Sequence, residues 1–157
     1  MGKPLIMVVD DDKDVADEIA ASIKDTEKYE VATVYSARDA LRLIEKNKKL
    51  MGNRNRIELI VLDIKMPEMN GLELLARIRL TYPDDKMGVI MLTAYEDADK
   101  WEKATDGHIA AYLKKPFKEE ELLKTLERYF SSADEKTKMI FETFEKHVDK
   151  MEDTENK

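Results

Sequence analysis

The stretch 59-LIVLDIKMPEMNG-71 decides the fold. Four consecutive apolar residues run into Asp63, and the chain then turns at once through Pro67 and Asn70-Gly71. A run that is apolar at every position describes a strand covered on both faces, as in the parallel sheets of α/β proteins. Such a strand should not end on a carboxylate without cause. A buried charge is costly unless it has a partner, a metal or a task.

Working outward, the chain alternates between two periodicities. Short β-rich runs occupy 4–10, 29–35, 57–63, 88–93 and 109–114. Helical patterns lie between and after them. Residues 13–26 carry Val15, Ile19 and Ile23 on one face, with Asp12 as N-cap. Residues 37–47 carry Ala40, Leu41 and Ile44, capped by Ser36, and residues 71–80 carry Leu74, Leu75 and Ile78, capped by Asn70. Residues 118–130 align Leu122, Leu126 and Tyr129, whereas 97–106 has only a thin stripe of Ala98, Trp101 and Ala104. Strands alternating with helices predict a parallel sheet with helices on both faces, whose ligands bind beyond the carboxyl ends of the strands.

The bulk composition narrows the classes. At 157 residues the chain is expected to form one domain over 1–130 plus a helical extension over 131–157. Cysteine is absent, which excludes a disulfide framework or thiolate metal site. The net charge of −7 argues against a dedicated nucleic-acid binder. No segment approaches membrane-spanning length and the N-terminus lacks a signal-peptide pattern, so a cytoplasmic location is expected. Charged residues make up 39% of the chain, which leans towards a heat-tolerant source.

The strand ends bring reactive groups to one rim. The first strand ends at Asp10-Asp11, the third at Asp63, the fourth at Thr93, and the fifth runs into Lys114-Lys115-Pro116. Clustered carboxylates suit a hard divalent cation such as Mg²⁺. A carboxylate beside such a cation can attack phosphorus, and a lysine and a hydroxyl can neutralise phosphoryl oxygens. Each residue has a plainer reading alone, as a cap, a strand residue or a solvated charge. Their arrival together at four strand ends is improbable by chance.

The segments VVDD, LIVLDIKMPEMNGLELL, VIMLTAY and YLKKPF, in this order, resemble the receiver domain of two-component response regulators over residues 4 to about 130. The resemblance implies a flavodoxin-like, doubly wound, five-stranded parallel sheet of order 2-1-3-4-5. It implies that Asp63 is the phosphoacceptor and that Asp11 and Asp63 ligate Mg²⁺, or another divalent cation such as Mn²⁺, directly. Asp10 would act mainly through water, and the backbone carbonyl of Lys65 would complete the protein ligands. Lys115, rather than its neighbour Lys114, would contact the phosphoryl oxygens, across a bond to Pro116 that is often cis in the family. Thr93 would be the mobile hydroxyl and Tyr112 the aromatic switch. A sensor histidine kinase would be the donor, and an output protein would read the face around residues 97–106 and the fifth strand.

Three features depart from the usual pattern. Residues 45–58 form a long, basic connection, expected to be a solvated surface loop. Lys65 and Tyr95 sit two residues beyond Asp63 and Thr93, where the family tunes phosphoryl lifetime; a bulky Tyr95 is expected to shield the acyl phosphate from water. Trp101, the only tryptophan, is placed for either a partner contact or partial burial.

The tail has two readings. Ser132 to Glu135 could be a capping box that starts a separate helix. Alternatively the preceding helix continues, since Leu122, Leu126, Tyr129, Ala133, Thr137, Ile140, Phe144, His147 and Met151 keep a 4-3 progression without Gly or Pro. Continuity is the expectation, with a stripe of Ile140, Phe144 and Val148 that must be covered by its own domain, a partner or a second copy, the last giving a homodimer. His147 reads as a surface or seam residue rather than a phosphodonor. The tail is too short and too acidic for a DNA-binding output.

The sequence therefore predicts a signalling receiver rather than an enzyme, with a phosphorelay intermediate or phosphate sink as the alternative. A haloacid dehalogenase-type phosphatase would need a second acid where Lys65 stands. A degenerate receiver would lack the reactive residues.

Overall fold

The computed structural model describes residues 2–52, 54–94, 97–99 and 109–156. The five strands are β1 (Leu5–Val9), β2 (Glu30–Val34), β3 (Ile57–Asp63), β4 (Gly88–Ala94) and β5 (Ala111–Lys115). They form one sheet of order β2-β1-β3-β4-β5, with parallel pairing. Among the described residues the helices are α1 (Lys13–Asp25), α2 (Ala37–Lys46), α3 (Gly71–Arg79), α4 (Glu119–Ser131) and α5 (Ala133–Glu155). This is the doubly wound flavodoxin-like arrangement with two C-terminal helices. The chain divides into two compact units, residues 1–89 and 90–157.

In the first unit the core is aliphatic. All five residues of β1 are buried, as is Leu59 to Leu62 of β3. α1 buries Ala16, Ile19, Ala20 and Ile23, α2 buries Ala37, Ala40 and Ile44, and α3 buries Gly71, Leu74, Leu75 and Ile78. The three expected N-caps are in place. Asp12 accepts from the amides of Asp14 and Val15, Ser36 from Asp39, and Asn70 from Glu73. Each satisfies amides that the first helical turn leaves without intrahelical acceptors.

The 45–58 connection is better ordered than a solvated loop. Lys48 and Asn55 form an antiparallel bridge, and the Lys49 amide donates to the Arg54 carbonyl at 3.0 Å. Asn55 is buried. Its Nδ2 donates to the Ile44 carbonyl at 2.7 Å and to the Tyr82 hydroxyl at 3.1 Å, and its Oδ1 accepts from the Ile57 amide at 2.9 Å. The solvated part is the tip at Leu50 and Met51, beside Gly52 at φ +70°.

In the second unit β4 and β5 pair in parallel from Ile90 with Ala111 to Ala94 with Lys115. α4 buries Leu122, Leu126 and Tyr129, as the periodicity predicts. The tail does not continue α4. Ser132 adopts an extended backbone (φ −162°, ψ 162°), ends α4, and caps α5 through its hydroxyl to the Glu135 amide at 3.1 Å. The inward face of α5 is also rotated from the expected stripe. Met139 and His147 are buried with Thr143 between them, whereas Phe144 is exposed and Ile140 and Val148 are half-buried. The helix remains regular to Glu155. The helix expected over 97–106, with Trp101, falls outside the described residues except for Asp97 to Asp99.

Candidate phosphoacceptor and metal centre

The β1–β3 register explains how the acids meet. Val9 stands opposite Leu62, so Asp10 and Asp63 leave adjacent parallel strands side by side. Asp10, Asp11 and Asp63 each present a carboxylate oxygen within 4.8 Å of the others. Asp10 is 1% exposed and Asp63 7% exposed, while Asp11 faces solvent. Asp10 also accepts the Asp12 amide on Oδ1 at 3.0 Å, which fixes its orientation. Asp12 is instead engaged as the N-cap of α1, accepting from the amides of Asp14 and Val15.

Three carboxylates so close, two of them buried, repel one another in a medium of reduced dielectric. A hard divalent cation offsets that cost, and carboxylate oxygens are the ligands Mg²⁺ prefers. The donor set therefore fits the metal.

A backbone contact sets the exit from β3. A Cβ on Gly71 would lie 2.5 Å from the Asp63 carbonyl oxygen and 2.9 Å from the Ile64 Cα. The Gly71 amide donates to the Ile64 carbonyl at 2.7 Å. The start of α3 is thus pressed against the residue that ends β3. Between them the chain passes Pro67 and Glu68, the latter at φ +66°. Lys65 lies on the exposed part of this turn.

In the second unit, Thr93 is buried near the end of β4, with its hydroxyl 3.4 Å from the Ala94 carbonyl. Lys115 is the last residue of β5, and its bond to Pro116 is cis. Tyr112 is half-exposed and lines a cleft between β5 and α5, together with Lys114 and His147. Side chains alternate along a strand, so Lys115 projects from the face opposite Lys114. Tyr95 lies outside the described residues.

Sequence reading missed a group in the second unit. Arg128 of α4 is gripped by two carboxylates of α5. Its Nε donates to Glu135 at 2.9 Å, and Nη1 and Nη2 donate to the two oxygens of Glu142 at 2.9 and 3.0 Å. These bonds raise the Arg128 pKa and hold the Glu135 and Glu142 carboxyls below the ordinary glutamate value. The seven-residue steps from 128 to 135 to 142 are visible in the sequence, but their meaning depends on the chain reversing at Ser132.

A parallel sheet of this order, with clustered carboxylates beyond β1 and β3, defines a class of phosphoacceptor signalling folds. The family description "Response regulator receiver domain" matches residues 6–127, and the chain belongs to that family. A 14.6 kDa protein from the sodA1 3' region of Leptolyngbya boryana is 34% identical over 124 residues, covering 79% of this chain and 88% of that protein. Response regulator MprA of Mycolicibacterium vanbaalenii is 34% identical over 118 residues, covering 75% of this chain and 46% of MprA. The chain thus spans about half the length of MprA. Among solved structures, chemotaxis protein CheY4 of Vibrio cholerae superposes with a TM-score of 0.65 at 28% identity, covering 81% of this chain and 98% of CheY4. The family consists of signalling phosphoacceptors rather than enzymes acting on a separate substrate. It binds Mg²⁺ at an acidic pocket, and its members interact with sensor histidine kinases. Among the described residues, no helix is long and apolar enough to cross a membrane.

Proposed function

We propose that the Asp63 carboxylate accepts a phosphoryl group from the phosphohistidine of a sensor histidine kinase, and that this modification controls binding to an output protein. The observation that carries the reading is the convergence of Asp10, Asp11 and Asp63 at the ends of adjacent strands. An Asp63 oxygen forms the new bond to phosphorus as the P–N bond breaks, and the donor imidazole leaves with the electron pair. Bound Mg²⁺, or Mn²⁺, supplies the charge neutralisation that lets an anionic carboxylate approach an anionic phosphoryl group.

In this reading Asp11 and Asp63 are direct ligands, Asp10 acts mainly through water, and Lys65 contributes its backbone carbonyl. Lys115 takes the phosphoryl oxygens. The placement of Lys114 on the cleft side of β5 favours that choice. Thr93 donates its hydroxyl to the phosphoryl group, Tyr112 follows it, and Tyr95 with Lys65 sets how long the acyl phosphate lasts. The chain assists its own phosphorylation and hydrolysis, in the cytoplasm, and acts on neither nucleic acid nor membrane.

Incubating the full chain with Mg²⁺ and acetyl phosphate and recording the intact mass tests the reading. One phosphoryl adduct is expected on the wild type and none on Asp63→Asn; an adduct that persists in Asp63→Asn overturns it. A second reading, a relay intermediate or phosphate sink without output, draws support from α5 lying over β5 and α4.

A further inference from the structure

The last helix turns back at Ser132 and lies along β5 and α4 of its own unit. It is held by a repeating pattern. Met139 is buried, and one turn on Thr143 donates its hydroxyl to the Ala110 carbonyl at 2.8 Å, immediately before β5. One turn further His147 is buried. Carboxylates on both sides of Met139, from Glu135 and Glu142, grip Arg128. Lys136 sits 4.7 Å from the centre of the Tyr129 ring, and Lys150 reaches Asp99 at 3.2 Å.

The same interface is thin in apolar burial. α5 has 23 residues and buries two of them, whereas the 13-residue α1 buries four and the 13-residue α4 buries three. Between the C-terminal half of α5 and β5 runs an open cleft of about 680 Å³. Its walls include Tyr112, Lys114, Lys146 and His147. Among the described residues, the contacts that hold α5 are therefore largely hydrogen bonds and exposed ion pairs, which give orientation more than strength. A helix bound in this way is recognised by its pattern and can be exchanged.

We propose that the β5–α4 face is a docking surface for an amphipathic helix, that α5 is its resident occupant, and that a protein partner binds by supplying a helix that displaces α5. The partner helix has a bulky apolar residue in the place of Met139 and a hydroxyl four residues later. It has carboxylates four residues before and three residues after the apolar residue to answer Arg128. Because α5 is tethered by Ser132 alone, its effective concentration at the face is on the order of millimolar, which sets the threshold a partner must exceed. The proposal goes beyond phosphorylation of Asp63 and holds for the unmodified chain.

The test uses the full chain without phosphodonor and a fluorescently labelled synthetic peptide of residues 133–155. Glu135→Lys with Glu142→Lys reverses both partners of Arg128 and opens the face. Apparent affinity scales with the fraction of open surface, so the peptide is expected to bind this variant at least about tenfold more tightly than the wild type. Adding Arg128→Glu restores pairing within the chain and repels the peptide, so binding should be lost again. Equal binding to wild type and the reversed variant, or binding to neither, overturns the proposal. So does light scattering that shows the reversed variant to be a dimer, since the occupant is then a second copy. Hydrogen exchange on the wild type gives an independent measure: α5 amides should exchange faster than α4 amides, and equal protection refutes exchangeability. The acetyl phosphate experiment on Asp63 is read separately, so failure of either leaves the other result standing.

Discussion

Replacing Gly71 with alanine sets two effects of opposite sign against each other. Gly71 opens α3 without a positive φ. On propensity alone, alanine in a helix is favoured over glycine by about 1 kcal/mol, and restricting the unfolded chain adds to that benefit. The structure predicts the reverse. The added methyl would stand 2.5 Å from the Asp63 carbonyl oxygen and 2.9 Å from the Ile64 Cα, and both atoms belong to backbone. No side-chain rotation relieves the contact. Either the start of α3 lifts, stretching the 2.7 Å bond from the Gly71 amide to the Ile64 carbonyl, or the end of β3 shifts. Overpacking costs roughly 1–3 kcal/mol, and two backbone contacts this short put the methyl in the upper part of that range, about 2–3 kcal/mol. After the propensity gain, a net loss of about 1–2 kcal/mol remains. For a chain of this length that lowers Tm by roughly 2–8 °C. Urea denaturation of wild type and Gly71→Ala measures the sign directly. Because the displaced atoms belong to Asp63 and Ile64, Mg²⁺ affinity, followed by calorimetric titration, should weaken as well. A variant as stable as the wild type, or more stable, would refute the close approach.

Other outcomes follow from single contacts. Asn55→Ala removes three hydrogen bonds and strands the Ile57 amide, so it should cost on the order of 2–4 kcal/mol in chemical denaturation. Leu50→Ser at the tip of the same connection should change stability by less than about 0.5 kcal/mol. Arg128 hydrogen bonds lower the pKa of Glu135 and Glu142, so they stabilise the docked helix fully above the ordinary glutamate value of 4.5 and lose effect as pH falls through the depressed values. Thermal melts should therefore show a gap between wild type and the Glu135→Gln/Glu142→Gln pair near neutrality that closes in acid. If Tyr95 shields the acyl phosphate, Tyr95→Ala accelerates dephosphorylation of the full chain; an unchanged rate sinks that role.

The parts of the fold legible in the sequence were those where local and tertiary demands agree. Leu59 to Leu62 reads as a buried strand because it is one, and Asp12, Ser36 and Asn70 read as caps because each binds amides only two or three residues ahead, within reach of local sequence. The carboxylate centre was legible for a related reason, since strand ends in a parallel sheet deliver their residues to one rim. The tail was not. Its 4-3 spacing fits one long helix as well as two, and the choice falls to Arg128, which reaches Glu135 and Glu142 only if the chain reverses. Its inward face was only partly legible: His147 reads as a surface or seam residue, but Thr143 is polar and falls off the expected stripe. Hydropathy places Thr143 outside, yet its hydroxyl finds the Ala110 carbonyl and turns inward. Asn55 is hidden similarly, a polar residue in a polar stretch whose partners are remote in sequence.

Ser132 serves at once as the last cap of one helix and the first of the next, so the connection has no spare residue. Each residue of an α-helix advances the side chain by about 100° around the axis. A single insertion after Ser132 would therefore swing Met139, Thr143 and His147 off the sheet together and carry Glu135 and Glu142 past Arg128. The same insertion at Leu50-Met51 would lengthen a solvated tip and alter no pairing. The length of this chain is thus open to drift at one bend and locked in phase at the other, and homologues that keep the tail should vary in length before residue 55 but not between Arg128 and Glu142.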